Sequence, residues 1–480
     1  MVEGARWGTA GARRVLAAAV LGSAMAFLDG TIVNVAVPAI GADLHAGLAQ
    51  LQWVLDGYLV TLTALLLLGG SLGDRYGRRR VFTIGVAWFA AASVLCGAAP
   101  NVQVLIAARA LQGVGGALLV PGSLALLSAT MHPDDRSRAV GAWSGLTGVA
   151  SAIGPFAGGW LVDAASWRWA FLVNAPLAVA VIAIARGVPE SVDDEAAPHV
   201  DVTGAAVVAA GLGLLTGGLI EQVLPVVLAG AVLVGLFVVV ERRSPAPMLP
   251  PSLFGSAQFT GTNLVTFAVY AGLGVSFFLV VVNLQLALGY SALEAGVSLL
   301  PVTALMLVLS ARAGALAQRT GPRLPLTAGP VLVGAGMLLL GGVGPGDHYV
   351  SAVLPGALVF GLGLSVTVAP LTAAVLAAVD EHHLGVASAS NNAVARLAGL
   401  LAVAVIPAAA GVALDAAAGQ ALPGYRTAMA VAAALCAAGA VAALATVRRI
   451  VPTQPTTQPS VLHPCHDPCV QLDSEPSTVS

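Results

Sequence analysis

The chain has 480 residues, of which 58% are hydrophobic and only 9% charged, with a mean hydropathy of +0.90. Soluble domains carry about a quarter charged residues, so this composition cannot cover a water-facing surface and the bilayer must be the solvent. With 21 basic against 23 acidic residues the formal charge is −2, which excludes a nucleic-acid role built on basic excess.

Continuously apolar runs such as Val15 to Leu28 exclude the alternating pattern of a membrane barrel. The 56 glycines among Ala, Val and Leu supply the small residues that let helices pack closely in lipid. In chain order, segments long enough to cross a ~30 Å core cover 15–38, 52–73, 81–99, 101–127, 139–162, 169–187, 203–220, 223–241, 259–286, 293–312, 324–343, 350–377, 385–412 and 427–446. The fold class is therefore an all-α integral membrane protein with 14 transmembrane helices. Arg13-Arg14, the first apolar run and Ala24-Met25-Ala26 imitate a signal peptide, but cleavage there would cut the first span in half, so an uncleaved helix is expected.

Two pairs of spans are separated only by Pro100-Asn101 and Glu221-Gln222, and the arginines test the count. A cytoplasmic N-terminus places Arg168 and Arg426 outside, Arg109 and Arg396 within spans, and every other arginine inside, as the positive-inside rule requires. Both termini are then cytoplasmic, and residues 447–480, rich in Pro, Thr, Ser and Gln, read as a disordered tail. All basic residues are arginine and none is lysine, a bias that suggests a GC-rich bacterial genome and hence a bacterial plasma membrane. Cys96 and Cys436 fall in apolar spans, and Cys465 and Cys469 in the tail, so no disulfide framework is expected. The compact run His463 to Cys469 carries metal-ligand types outside any fold, and no metal site is assigned to it.

Gly70 to Arg79 and Gly314 to Arg323 match at five of ten positions, 244 residues apart. One follows span 2 and the other span 10. Residues 1–190 and 251–446 then form two six-helix halves, with a linker and two inserted spans in 191–250. Parallel halves with a site between them at midplane are a standard transporter plan.

The first copy, Gly70-Ser71-Leu72-Gly73-Asp74-Arg75-Tyr76-Gly77-Arg78-Arg79, resembles the loop signature of the major facilitator superfamily. Leu28 to Pro38, Arg109 to Gly116 and Gly154-Pro155-Phe156-Ala157-Gly158-Gly159 resemble the span 1, span 4 and span 5 motifs of its fourteen-helix drug:proton antiporter branch. The resemblance extends through Trp167 to Phe171 and Asn174-Ala175-Pro176, and covers all but the tail. It implies the major facilitator fold and export coupled to protons.

Asp29 and Arg109 are the leading functional candidates, because a charge in a membrane helix needs a partner or water. Helical rise places both about 12–14 Å below the outer surface, and Asp56 shallower at roughly 7–8 Å. A carboxylate beside an arginine can release and rebind a proton as its partner or water access changes; the alternative is a static ion pair. Proton coupling is assigned to Asp29, Arg109 and Asp56. Asn34, Gln112, Asn391, Asn392 and Arg396 are assigned to the substrate cavity, with packing of Arg396 against a backbone carbonyl as the alternative.

Gating is assigned to Gly70, Asp74, Arg75, Gly77 and Arg78 in the loop and to Gly154, Pro155, Gly158 and Gly159 on span 5. Asp74 can cap the next helix or pair with an arginine across the halves. The second copy has Gln318 in its place and reads as vestigial. The span 5 stripe Ala150, Gly154, Gly158 serves close packing whether or not it moves, and by resemblance lies near the contact between halves. Spans 7 and 8 offer little polarity and read as a peripheral hairpin against lipid or a second protomer, with Glu221 at its turn.

The sequence therefore predicts a proton-coupled exporter of small organic compounds. It is expected to act as a monomer in the bilayer, without nucleic acid, metal or cofactor and driven by the proton gradient. Another metabolite or a lipid is the alternative cargo, since fold does not fix cargo. A membrane enzyme lacks support from any HExxH or nucleophile-elbow pattern.

Overall fold

The computed structural model describes residues 5–192, 201–244, 251–379, 384–413, 420 and 422–448. Most of the tail, including His463 to Cys469, lies outside the described residues. The helices are α1 (Ala10–Leu44), α2 (Leu48–Tyr76), α3 (Arg78–Gly97), α4 (Val102–Thr130), α5 (Pro133–Ala164), a short α6 (Trp169–Leu172), α7 (Asn174–Ala185), α8 (Val202–Ile220), α9 (Leu224–Arg243), α10 (Ala257–Ala287), α11 (Ala292–Ser298), α12 (Leu300–Thr320), α13 (Arg323–Gly341), α14 (Leu354–Leu376), α15 (Leu384–Ala409) and α16 (Tyr425–Thr446). Among the described residues, 13 spans are long and apolar enough to cross a bilayer, and the shorter apolar stretch Trp169–Ala185 fills the remaining expected position.

Local chemistry explains the boundaries. Asn101 starts α4 by accepting from the Val104 N–H at 2.9 Å, an N-cap that separates α3 from α4. Gln222, at φ 56°, makes the left-handed turn between α8 and α9. The first helix runs beyond the expected stop at Pro38 to Leu44, with Pro38 inside it; proline removes one hydrogen bond but need not end a helix packed on its neighbours. No break occurs at Ala24 to Ala26.

The two repeat copies occupy equivalent corners. Gly77 (φ 106°) joins α2 to α3, and Gly321 (φ 82°) leads from α12 to α13, a left-handed backbone that favours glycine. Neighbour relations repeat as well: α2 with α4, α3 with α4 and α1 with α5 correspond to α12 with α14, α13 with α14 and α10 with α15. The side chain of Gln318 lies outside the described residues.

The arginine-rich ends of the helices lie on one face, where Arg6 pairs with Asp134 and Arg79 with Glu190. The opposite face carries Arg168, paired with Asp43. Near that arginine-poor face the halves are bonded: Gln52 donates to the Val403 carbonyl (2.5 Å), Gln285 to the Val35 carbonyl (3.0 Å), and Asp163 accepts from the Ala292 and Leu293 N–H groups at 3.2 and 2.8 Å. A single apolar core there mixes Val33, Val37 and Leu51 with Phe278, Leu284 and Val403. The molecule is closed at the arginine-poor face.

The inserted hairpin departs from expectation. One helix, α8, packs on both halves at once, with Leu212 clustered against Val60 and Ala64 of α2 and Leu400 of α15, while α9 exposes Leu224, Leu228 and Val232. The polar-poor sequence fits burial on a protein seam as well as it fits lipid. The hairpin therefore covers a junction between the halves rather than lying wholly at the periphery.

Candidate proton-coupling and transport site

Close helix approach builds the site. A side chain at Gly113 of α4 would collide with Thr61 and the Tyr58 carbonyl on α2, and one at Gly115 with the Phe89 backbone on α3. Lacking side chains there, α4 presses against both helices, and Thr61 bonds the Ala110 carbonyl at 2.8 Å. This seats Arg109, one turn earlier, against α1 and α2.

Arg109 Nη1 donates to Asp29 Oδ2 at 2.5 Å and to Gln112 Oε1 at 2.6 Å, and its Nε donates to the Val54 carbonyl at 2.9 Å. The other carboxylate oxygen of Asp29 accepts from Gln112 Nε2 at 2.7 Å and Asn174 Nδ2 at 3.4 Å. Ser93 receives Gln112 and Asn174 at 2.8 and 3.3 Å. The guanidinium lies over the Tyr58 ring, 4.4 Å from its centroid. The side chains of Arg109 and Asp29 are 1% and 0% exposed, so this pair is sealed from water, with its charge balanced by hydrogen bonds as buried charges require. Asp56 on α2 is equally buried, yet neither carboxylate oxygen has a hydrogen-bond partner among the described residues.

The residues expected in the cavity fall in different surroundings. Gln112 is fully buried, with both amide atoms used by the Asp29–Arg109 pair. Asn391 points to α10, where it donates to Asn263 and Thr266 at 3.1 and 2.7 Å. By contrast Asn392 is exposed and accepts from Arg396 Nε at 3.1 Å, and Arg396 is half-buried without an ion pair among the described residues. Asn34 is half-buried and donates to the Gly30 carbonyl at 2.8 Å.

On α5, a Cβ at Gly158 would meet the Ile32 backbone, and one at Gly154 would meet Thr31, so both serve packing on α1 within the same half. Gly159 faces the other half, where a Cβ would stand 2.5 Å from Leu293 Cα; a Cβ on Gly296 in turn would strike the Pro155 carbonyl. The stripe is thus split between the Asp29 helix and the contact between halves. Most of the expected loop is helical, only Gly77 standing between α2 and α3; at this corner Gly70 faces Pro121 of α4, Arg75 lies over the Tyr76 ring, and Asp74 accepts from Arg78 at 2.8 Å, a pairing within its own half rather than across halves. The cap of α3 comes from Glu190, which accepts from the Arg79 and Arg80 N–H groups at 2.9 and 3.2 Å.

Ser93, Tyr58, Asp163 and Glu190 carried no motif and were not singled out by sequence. Asn174 appeared only as part of a motif. Its polarity in an apolar stretch was the available signal.

Two related helical halves with a buried acid–base pair in one of them define a membrane carrier. The Major Facilitator Superfamily model matches residues 19–403, and the chain belongs to that superfamily. It is 35% identical over 401 residues to a probable actinorhodin transporter of Streptomyces coelicolor, covering 80% of this chain and 69% of the relative. It is 35% identical over 404 residues to the methylenomycin A resistance protein of Bacillus subtilis, covering 82% and 86%. In fold it is similar to a peptide transporter, POT, crystallised with sulfate (TM-score 0.67, 14% identity, 91% and 94% covered) and to the inward open xylose transporter XylE from E. coli (TM-score 0.62, 14% identity, 92% and 98% covered).

Proposed function

We propose that the chain is a proton-coupled antiporter that exports small organic, antibiotic-like compounds across the bacterial plasma membrane, with both termini in the cytoplasm. Its halves, 1–190 and 251–446, rock about a midplane cavity. The observation that carries this reading is the sealed Asp29–Arg109 pair beside the partnerless carboxyl of Asp56. A carboxylate whose charge is held by one cation and two amides can exchange that cation for a proton when the helices shift. Asp56 is buried with no hydrogen-bond donor among the described residues, and so is free to take a proton without breaking an existing bond. The two acids, on adjacent helices, give a route for a proton to enter and leave as access alternates.

The second half contributes Arg396 and Asn392 to the cavity wall, and α1 contributes Asn34. The names of the relatives support the cargo class. No cofactor beyond the proton gradient takes part, and one chain suffices. Everted membrane vesicles test the reading: acidifying the lumen should drive accumulation of a fluorescent amphipathic dye, and nigericin should release it. Accumulation that ignores the pH gradient would overturn proton coupling.

A further inference from the structure

A groove of about 360 Å³ opens between α3 and α7 at the arginine-rich face, lined by Arg79, Arg80, Thr83, Ile84, Arg186 and Glu190. Its lining combines charged side chains with the apolar Ile84 and Ala185. Glu190 is committed to the start of α3 through the Arg79 and Arg80 N–H groups, and Arg79 is held by Glu190 (3.5 Å) and by the Val188 carbonyl (3.0 Å). Arg80 and Arg186 are exposed and have no carboxylate partner among the described residues. Arg14 of α1 reaches the same corner, its Nη1 3.7 Å from the position a Cβ would take on Gly187. Ile84 and Trp88 of α3 are about half exposed (50% and 46%) and extend the apolar lining onto the lipid-facing surface.

A concentration of cations over an apolar slope at the membrane boundary complements one kind of molecule, with an anionic head and acyl chains. We infer that this groove binds an anionic phospholipid, its phosphate between Arg80 and Arg186 and its first acyl carbons along Thr83 and Ile84. Fixed waters or free anions would need no apolar lining. The groove abuts the Gly77 corner, so a bound headgroup would brace the joint between α2 and α3.

The test uses the purified full chain in a mild detergent, titrated with phosphatidylglycerol or phosphatidylcholine and read by native mass spectrometry. Phosphatidylglycerol should bind preferentially, and Arg80→Gln with Arg186→Gln should weaken it roughly thirty-fold, at about one surface-arginine contribution each. Arg242→Gln with Arg243→Gln, at the same face on α9, should leave binding within threefold of the parent. Thr83→Leu with Ile84→Trp, which fills the groove and keeps every charge, should also weaken the lipid while sparing inorganic phosphate. Equal losses from both arginine pairs would mean general surface attraction and overturn the site. Displacement of the lipid by millimolar inorganic phosphate would overturn it in favour of a free-anion site.

Discussion

Asp29→Asn, Arg109→Gln and the double variant form a cycle whose outcome follows from the geometry. With both side chains at most 1% exposed, solvent screens neither partner. Removing one member of such a pair costs about 3–5 kcal/mol, because the other is left charged and buried. In Asp29→Asn the guanidinium keeps the Val54 carbonyl and Gln112; in Arg109→Gln the carboxylate keeps the Gln112 and Asn174 amides. Each single loss should therefore fall near the lower figure, about 3 kcal/mol. The double variant has two neutral amides that can bond each other and should lie within about 1–2 kcal/mol of the parent, giving a coupling of roughly 4–5 kcal/mol. Unfolding in mixed micelles by increasing SDS measures the four stabilities. Proton-driven transport should be absent in all three variants, including the one that regains stability, because an amide pair carries no proton. Single losses that simply add to within about 0.5 kcal/mol would refute the pair as an energetic unit, and a double variant that transports would reduce it to a structural brace.

Asp56→Asn should leave stability within about 1 kcal/mol, since the carboxyl has no hydrogen bond to lose, while reducing pH-driven transport; normal transport would remove Asp56 from the proton route. Gly159→Leu should prevent closure at the arginine-poor face, with an overpacking cost of about 1–3 kcal/mol, and raise labelling of Leu293→Cys by a membrane-impermeant thiol reagent. Gly158→Leu should instead disturb its own half through Ile32 and lower stability without that labelling change; identical behaviour of the two would contradict the split of the stripe. Deleting about residues 200–243 should retain some transport but lower stability by uncovering Val60, Ala64 and Leu400. Glu221→Gln alone should be neutral, and loss of transport in that folded variant would bring the hairpin into the mechanism.

Helix count, duplication and the identity of the buried charges were legible because each is written locally. Apolar length marks a span, Gly77 and Gly321 mark equivalent corners, and Asp29 and Arg109 are conspicuous in lipid. Directions were harder. Asn391 and Asn392 are adjacent in sequence, but 100° of helical rotation turns one to α10 and the other to open space. Gly158 and Gly159 are likewise neighbours that face different halves. Gln112 was expected at the cavity, and its position one turn after Arg109 makes it a hydrogen-bond partner of that side chain. The first span was marked only to residue 38, whereas α1 carries Pro38 inside it and runs to Leu44. The capping acid Glu190 lies over a hundred residues from the helix it caps, a pairing that no local pattern records.

The central claim is that substrate and proton movement are one process passing through Asp29. Proteoliposomes containing a trapped pH dye and loaded with substrate test it when external substrate is diluted. The parent should move protons opposite to the substrate, and Asp29→Asn should lose that proton signal while still exchanging labelled for unlabelled substrate at equal concentrations. A proton signal of parental size in Asp29→Asn, or substrate efflux by the parent with no proton movement, would contradict it.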